Sequence, residues 1–87
     1  MEETRVALLG VVVENPDSVE ELNALLHEYK DYIIGRMGIP YRERKVNIIS
    51  IVLDAPADAI SALSGKLGML AGVSAKALYA RLPQGEG

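Results

Sequence analysis

The chain has 87 residues, 49% of them apolar, and a formal net charge of −3. That length holds one domain, near the lower limit of what folds alone. The acidic balance argues against nonspecific nucleic-acid binding, which needs a basic surface to displace counterions, and the lack of cysteine excludes disulfides, thiolate metal sites and a thiol nucleophile.

The first periodic element is the run Arg5 to Glu14. It is rich in β-branched residues and apolar on both faces, which suits a central strand. It is also far short of the roughly 18 to 20 residues of a membrane span, and the acidic Met1-Glu2-Glu3-Thr4 is no secretory leader. Cytoplasm is therefore the expected compartment, with no membrane association. Asn15-Pro-Asp-Ser18 is a helix-start signal: either Asn15 caps with Pro16 at the first helical position, or Ser18 forms a capping box with Glu21. Val19, Leu22, Leu25, Leu26 and Tyr29 then follow a 3.6-residue period, which predicts an amphipathic helix of about three to four turns.

From Asp31 the period changes. Tyr32 to Ile39 reads as a second strand, weakened by Gly35 and Gly38 and stopped by Pro40, hence at an edge. Tyr41 to Lys45 is a polar connection, and Val46 to Leu53 is a strand apolar on nearly both faces. Asp54-Ala-Pro56 opens a second helix with Ile60, Leu63, Leu67 and Leu70 as its buried stripe; Gly65 and Gly68 lie inside it and Gly72 ends it. The last strand is expected over Val73 to Leu82, closing a single domain over residues 1–82, and residues 83–87 read as a disordered tail. The order β-α-β-β-α-β predicts an α+β, ferredoxin-like fold: a four-stranded antiparallel sheet with both helices on one face. Two strands that are apolar on both sides leave the other face without a polar character. With no Phe or Trp the core is aliphatic and thin, and the surplus apolar surface predicts a homo-oligomer, dimer or tetramer, assembled through that face or through an edge strand.

Fold alone does not give function, so each use of this architecture needs its own residues. Base stacking on RNA needs aromatics on the two central strands, and neither has one. A phosphate-cradling loop with arginine after the first strand is absent from Asn15 to Ser18. His27 is the only histidine, too few ligands for nickel or zinc, so no metal and no cofactor is expected. No serine has the spacing of an activated nucleophile, and the chain is not expected to be an enzyme.

Two stretches remain. In Arg36-Met-Gly-Ile-Pro-Tyr-Arg-Glu-Arg-Lys45, the cations Arg36, Arg42, Arg44 and Lys45 cluster beside Tyr41; they suit an anionic ligand or an acidic partner surface, or else form an ordinary solvated hairpin. In Ala62-Leu-Ser-Gly-Lys-Leu-Gly-Met-Leu70, Gly65 and Gly68 suggest close approach by another backbone or a ligand, or else a helix that ends early. Together Arg36, Tyr41, Arg42, Arg44, Gly65, Lys66 and Gly68 form the candidate binding surface, completed by assembly if one copy does not bring them together.

These stretches also carry a resemblance. Arg36-x-Gly-x-Pro-x-Arg-Glu43 and Ala62-Leu-Ser-Gly-Lys-Leu-Gly68, followed by Gly72-Val73, resemble the small regulators ascribed to the iron-only (FeFe) hydrogenase system of anaerobic bacteria. Val12-Val-Glu14 and Leu26-His-Glu-Tyr29 fit as well, so the likeness runs from about Arg5 to Leu82. The resemblance implies an ACT-like domain without a DNA-binding segment, so that any control of transcription runs through a partner rather than direct nucleic-acid contact. A more distant similarity is to the regulatory domain of nickel-responsive repressors. There the counterpart of Leu26 to Asp31 precedes a strand with a His-x-His pair; here Gly38 and Pro40 stand at those positions, and the later cysteine ligand is missing, which removes the nickel site. The leading expectation is a regulatory module of the hydrogenase system that binds a small effector or a protein partner. A generic ACT-like amino-acid sensor and a purely structural assembly subunit are the alternatives.

Overall fold

The computed structural model describes residues 3–81. Its strands are β1 (Arg5–Val13), β2 (Ile33–Tyr41), β3 (Val46–Ala55) and β4 (Val73–Tyr79), and its helices are α1 (Val19–Glu28) and α2 (Ala57–Gly68). They form one antiparallel sheet in the order β2-β3-β1-β4, the ferredoxin-like arrangement expected from the element order. The two strands that read as apolar on both faces, β1 and β3, are the central pair.

Strand periodicity explains how the core is built. Side chains alternate between faces, so Ala7, Leu9, Val11 and Val13 of β1 point one way and meet Leu53, Ile51 and Ile49 from β3. Leu22 and Leu26 of α1 and Ile60, Leu63 and Leu67 of α2 complete the same buried cluster. Both helices therefore cover one face of the sheet. The expected helical stripes hold, with Val19, Leu25, Tyr29 and Leu70 packed partly buried at the margin.

Several boundaries differ from the sequence reading, each for a physical reason. Asn15 does cap, accepting from the Asp17 N–H at 3.0 Å, but it opens a 3-10 turn at Pro16–Ser18 rather than α1 itself. Ser18 forms no capping box; its buried hydroxyl donates instead to the Ala71 carbonyl at 2.6 Å. Tyr32 belongs to a 3-10 turn, Lys30–Tyr32, and not to the strand. Pro40 does not stop β2, which runs on to Tyr41 with Pro40 opposite Asn47. An edge strand needs ladder donors on one side only, so a proline is tolerated there.

α2 ends at Gly68, and Gly72 does not terminate it. Gly72 sits in the turn before β4 with φ of 68°, and a Cβ there would lie 2.6 Å from the Cβ of Asn15. Its glycine is needed both for backbone handedness and for that close approach. β4 ends at Tyr79, short of the expected Leu82; Leu82 and the tail at 83–87 lie outside the described residues.

β2 is different from the other strands. Apart from Ile33 at its start, every residue of it is exposed, because neither helix reaches over it and it stands at the edge. A bulge between Ile33 and Gly35 shifts its register against β3, and the strand carries Arg36 towards α1. On the face away from the helices, Leu8, Ile48, Met37, Ile39 and Leu78 remain exposed, with Leu78 at 69% and Met37 at 61%. No described helix is long and apolar enough to cross a membrane.

Candidate functional site

The sheet order separates the candidate residues into three places. Arg36 projects from β2 on the helix side, where its guanidinium donates to the Asn23 side-chain oxygen of α1 at 3.3 Å. Tyr41, Arg42 and Arg44 stand at the turn joining β2 to β3. Gly65, Lys66 and Gly68 lie on the outer, exposed side of α2. Among the described residues no side-chain hydrogen bond joins these groups, so one copy of the chain does not gather all seven.

The turn is the most site-like of the three. Residues 42–45 connect Tyr41 to Val46, which face each other across the hairpin, and the Lys45 N–H closes the turn on the Arg42 carbonyl at 3.1 Å. Lys45 has φ of 57°, the only described non-glycine residue in the left-handed region. A lysine there, where glycine or asparagine is the easier choice, keeps a third cation on the turn beside Arg42 and Arg44. None of these three takes part in a side-chain hydrogen bond among the described residues. Arg44 and Lys45 border a surface concavity of about 580 Å³ with Tyr41, Val46 and Glu14. An adjoining one of about 430 Å³ runs past Arg42, Pro40 and Asn47 towards Pro16. The chemistry on offer is two arginine forks and an ammonium for an anion, a tyrosine ring as a wall, and two carboxylates able to take a donor, Glu43 within the turn and Glu14 on the rim of the concavity.

On α2 the Lys66 ammonium donates to the Tyr29 hydroxyl at 3.1 Å and sits 5.3 Å from that ring's centroid. This hydrogen bond, ahead of the Coulombic attraction of the same group, raises the lysine pKa above its ordinary value. A Cβ at Gly65 or at Gly68 would meet nothing within 4 Å, so packing inside one copy does not require either glycine. Both lie within α2, which does not break at Gly65. Sequence reasoning placed Lys45 in the cationic cluster but gave no sign of its backbone conformation. Glu14 and Val46, across the turn, become neighbours only through the strand register. Among the described residues no group of His, Asp and Glu is placed to hold a metal ion.

The comparison with protein families settles the chain's kinship. Residues 5–77 match the TM1266-like family, described as "Iron-only hydrogenase system regulator, putative". The chain belongs to that family. The match takes in all of the sheet up to Ala77, both helices and the turn at 42–45. Among solved structures, the chain is similar to the uncharacterized protein TM1266 from Thermotoga maritima. The two share 39% sequence identity over 91% of this chain and 100% of that one, with a TM-score of 0.87. No curated protein matches the chain.

Proposed function

We propose that this member of the hydrogenase-regulator family is a non-catalytic, ACT-like sensing module that binds a small zwitterionic or anionic effector, of the amino-acid class, at the turn between β2 and β3. One observation carries the site: Arg42, Arg44 and Lys45 occupy a single turn beside Tyr41, and none of them is used in a side-chain hydrogen bond among the described residues. The forks of the arginines match a carboxylate, and Glu14 on the rim of the same concavity suits an ammonium or another donor at the ligand's far end. A bare anion such as inorganic phosphate meets repulsion from Glu14 that an amino acid avoids. The acidic protein as a whole repels anions, so selectivity rests on these local groups.

The test is a titration of the intact protein with the twenty standard amino acids and, separately, inorganic phosphate, followed by backbone amide NMR shifts. Shifts centred on residues 41–46 with at least one amino acid are expected. Arg44→Ala should weaken that binding at least about tenfold, or roughly 1.4 kcal/mol, with the fold unchanged. Lys45→Gly should stabilise the fold by up to about 1 kcal/mol by removing a side chain from the left-handed region, while weakening binding. If no amino acid moves those amides, the sensing role fails and the structural-subunit reading takes its place. The hydrogenase link is tested separately: deleting the gene in its host should change hydrogenase activity.

A further inference from the structure

The helix-covered face of the sheet is closed by its own chain, but the opposite face is not, and its pattern is ordered. Reading across the sheet, Ile39, Met37 and Gly35 of β2 share their rows with Ser74, Lys76 and Leu78 of β4, through the pairings of both with β3 and β1. Where one edge is large the other is small: Ile39 faces across to Ser74, and Gly35 to Leu78. The middle row pairs Met37 with the long stem of Lys76 and has Ser50 and Gly10 at its centre.

We propose that two copies of the chain pack these bare faces together about a twofold axis that runs parallel to the strands, between β3 and β1. That axis lays β2 of each copy over β4 of the other. Leu78 enters the space above Gly35, where nothing lies within 4 Å of a Cβ position; Ile39 lies over Ser74; Met37 lies along the stem of Lys76. Each contact is made twice, as a twofold interface requires. Gly10, in the middle of a central strand, fits the same picture. A Cβ there would meet only the Lys76 carbonyl, at an ordinary 3.9 Å, so the fold of one copy does not need glycine. A second sheet at about 10 Å does gain from the missing side chain.

The size is adequate. Four strands at about 4.8 Å spacing and some nine residues at about 3.3 Å give a plan area of about 570 Å². The accessible area of a face studded with side chains exceeds its plan, approaching the ~800 Å² per partner of a stable interface. An axis at right angles to the strands would set Lys76 against its own copy, a like-charge contact. Pairing through the β2 edge is opposed by Pro40 and by the bulge at Ile33/Gly35, both of which spoil a ladder. In the proposed pair Tyr41 overhangs the start of the other copy's β4, so the turn at 42–45 lies at the rim of the interface. The pairing itself requires no effector.

Size-exclusion chromatography with light scattering, at about 50 µM, should return twice the chain mass of 9.4 kDa. Leu78→Glu and Ile39→Glu alter exposed positions; both should run as monomers with an unchanged far-UV circular dichroism spectrum, and Gly10→Leu should do the same. The chain has no cysteine of its own, so the axis can be read directly. Gly35→Cys combined with Leu78→Cys should be joined into a dimer by a short thiol-reactive bismaleimide, and Lys76→Cys alone should not. A monomeric wild type, meaning that another protein or a lipid surface takes this face, overturns the proposal. So do glutamate variants that remain dimeric, or a ready cross-link at Lys76→Cys.

Discussion

The two faces of the sheet are made from the same four strands, yet only one is explained by the chain that forms them. Along β1, Leu9 is fully buried beneath the helices, while Leu8, its immediate neighbour, is 41% exposed on the other side. Both are leucine, and the difference lies wholly in what covers them. A hydrophobic run in sequence reports apolar side chains on both faces of a strand. It does not report what covers each. On the helix side the covering is intramolecular, and on the bare side the described residues supply none.

The largest effect that sharpens this contrast is a pair of truncations made in the Leu78→Glu background, which the proposed pairing expects to fold as a single copy. Leu9→Ala should cost about 3 kcal/mol, the sum of lost transfer energy and an uncollapsed cavity. Leu8→Ala should cost less than about 1 kcal/mol, since it removes surface already in contact with water. Urea unfolding curves give both numbers; equal losses would show that the faces are not as different as they look.

Next come the glycines. Gly72→Ala should destabilise by about 2 kcal/mol or more, because the new methyl group meets Asn15 at 2.6 Å in a left-handed residue. Gly65→Ala, on the outer side of α2 with open space around it, should stabilise by up to about 1 kcal/mol through helix propensity. Thermal melts compare the two directly. A destabilising Gly65→Ala would show that something outside the chain's own packing needs that position bare.

The smallest effect concerns Lys66. Its pKa is raised in the folded state, chiefly by the hydrogen bond to Tyr29. A raised lysine pKa contributes stability that is fully present below the unfolded value, near 10.4, and is lost as pH rises through the folded value. Wild type and Lys66→Met should therefore give parallel stability curves from pH 6 to 9 and converge only above about pH 10.4. Because the pair is exposed, the gap between them should be slight. A gap that changes near neutral pH would point to a different titrating group.

Much of this fold was legible because its determinants are local. The 3.6-residue period marked both helices, β-branched runs marked the central strands, and the glycines and proline of β2 marked an edge. What local pattern could not supply was the function of residues whose partners are distant in sequence. Ser18 looked like a cap and bonds instead to Ala71; Gly72 looked like a helix stop and instead makes room for Asn15. The cationic turn was visible because Arg42, Arg44 and Lys45 are consecutive or nearly so. That Lys66 and Arg36 are engaged by Tyr29 and Asn23, away from that turn, required the tertiary arrangement.

One pairing has a consequence for how the chain is made. The β1 segment is synthesised first, but one of its two neighbours, β4, follows every other element of the fold. The junction is then fastened at both ends. The Arg5 guanidinium lies 4.4 Å above the Tyr79 ring and the Ala80 N–H reaches the Val6 carbonyl at 2.9 Å, while at the far end the Glu14 N–H reaches the Gly72 carbonyl at 2.7 Å. Until β4 has emerged, a growing chain holds an apolar central strand with one open edge. Its folding consequently ends on a contact of very long sequence separation, the kind that forms slowly. For the nascent protein, the last strand acts as the latch that takes an aggregation-prone edge out of reach of other chains.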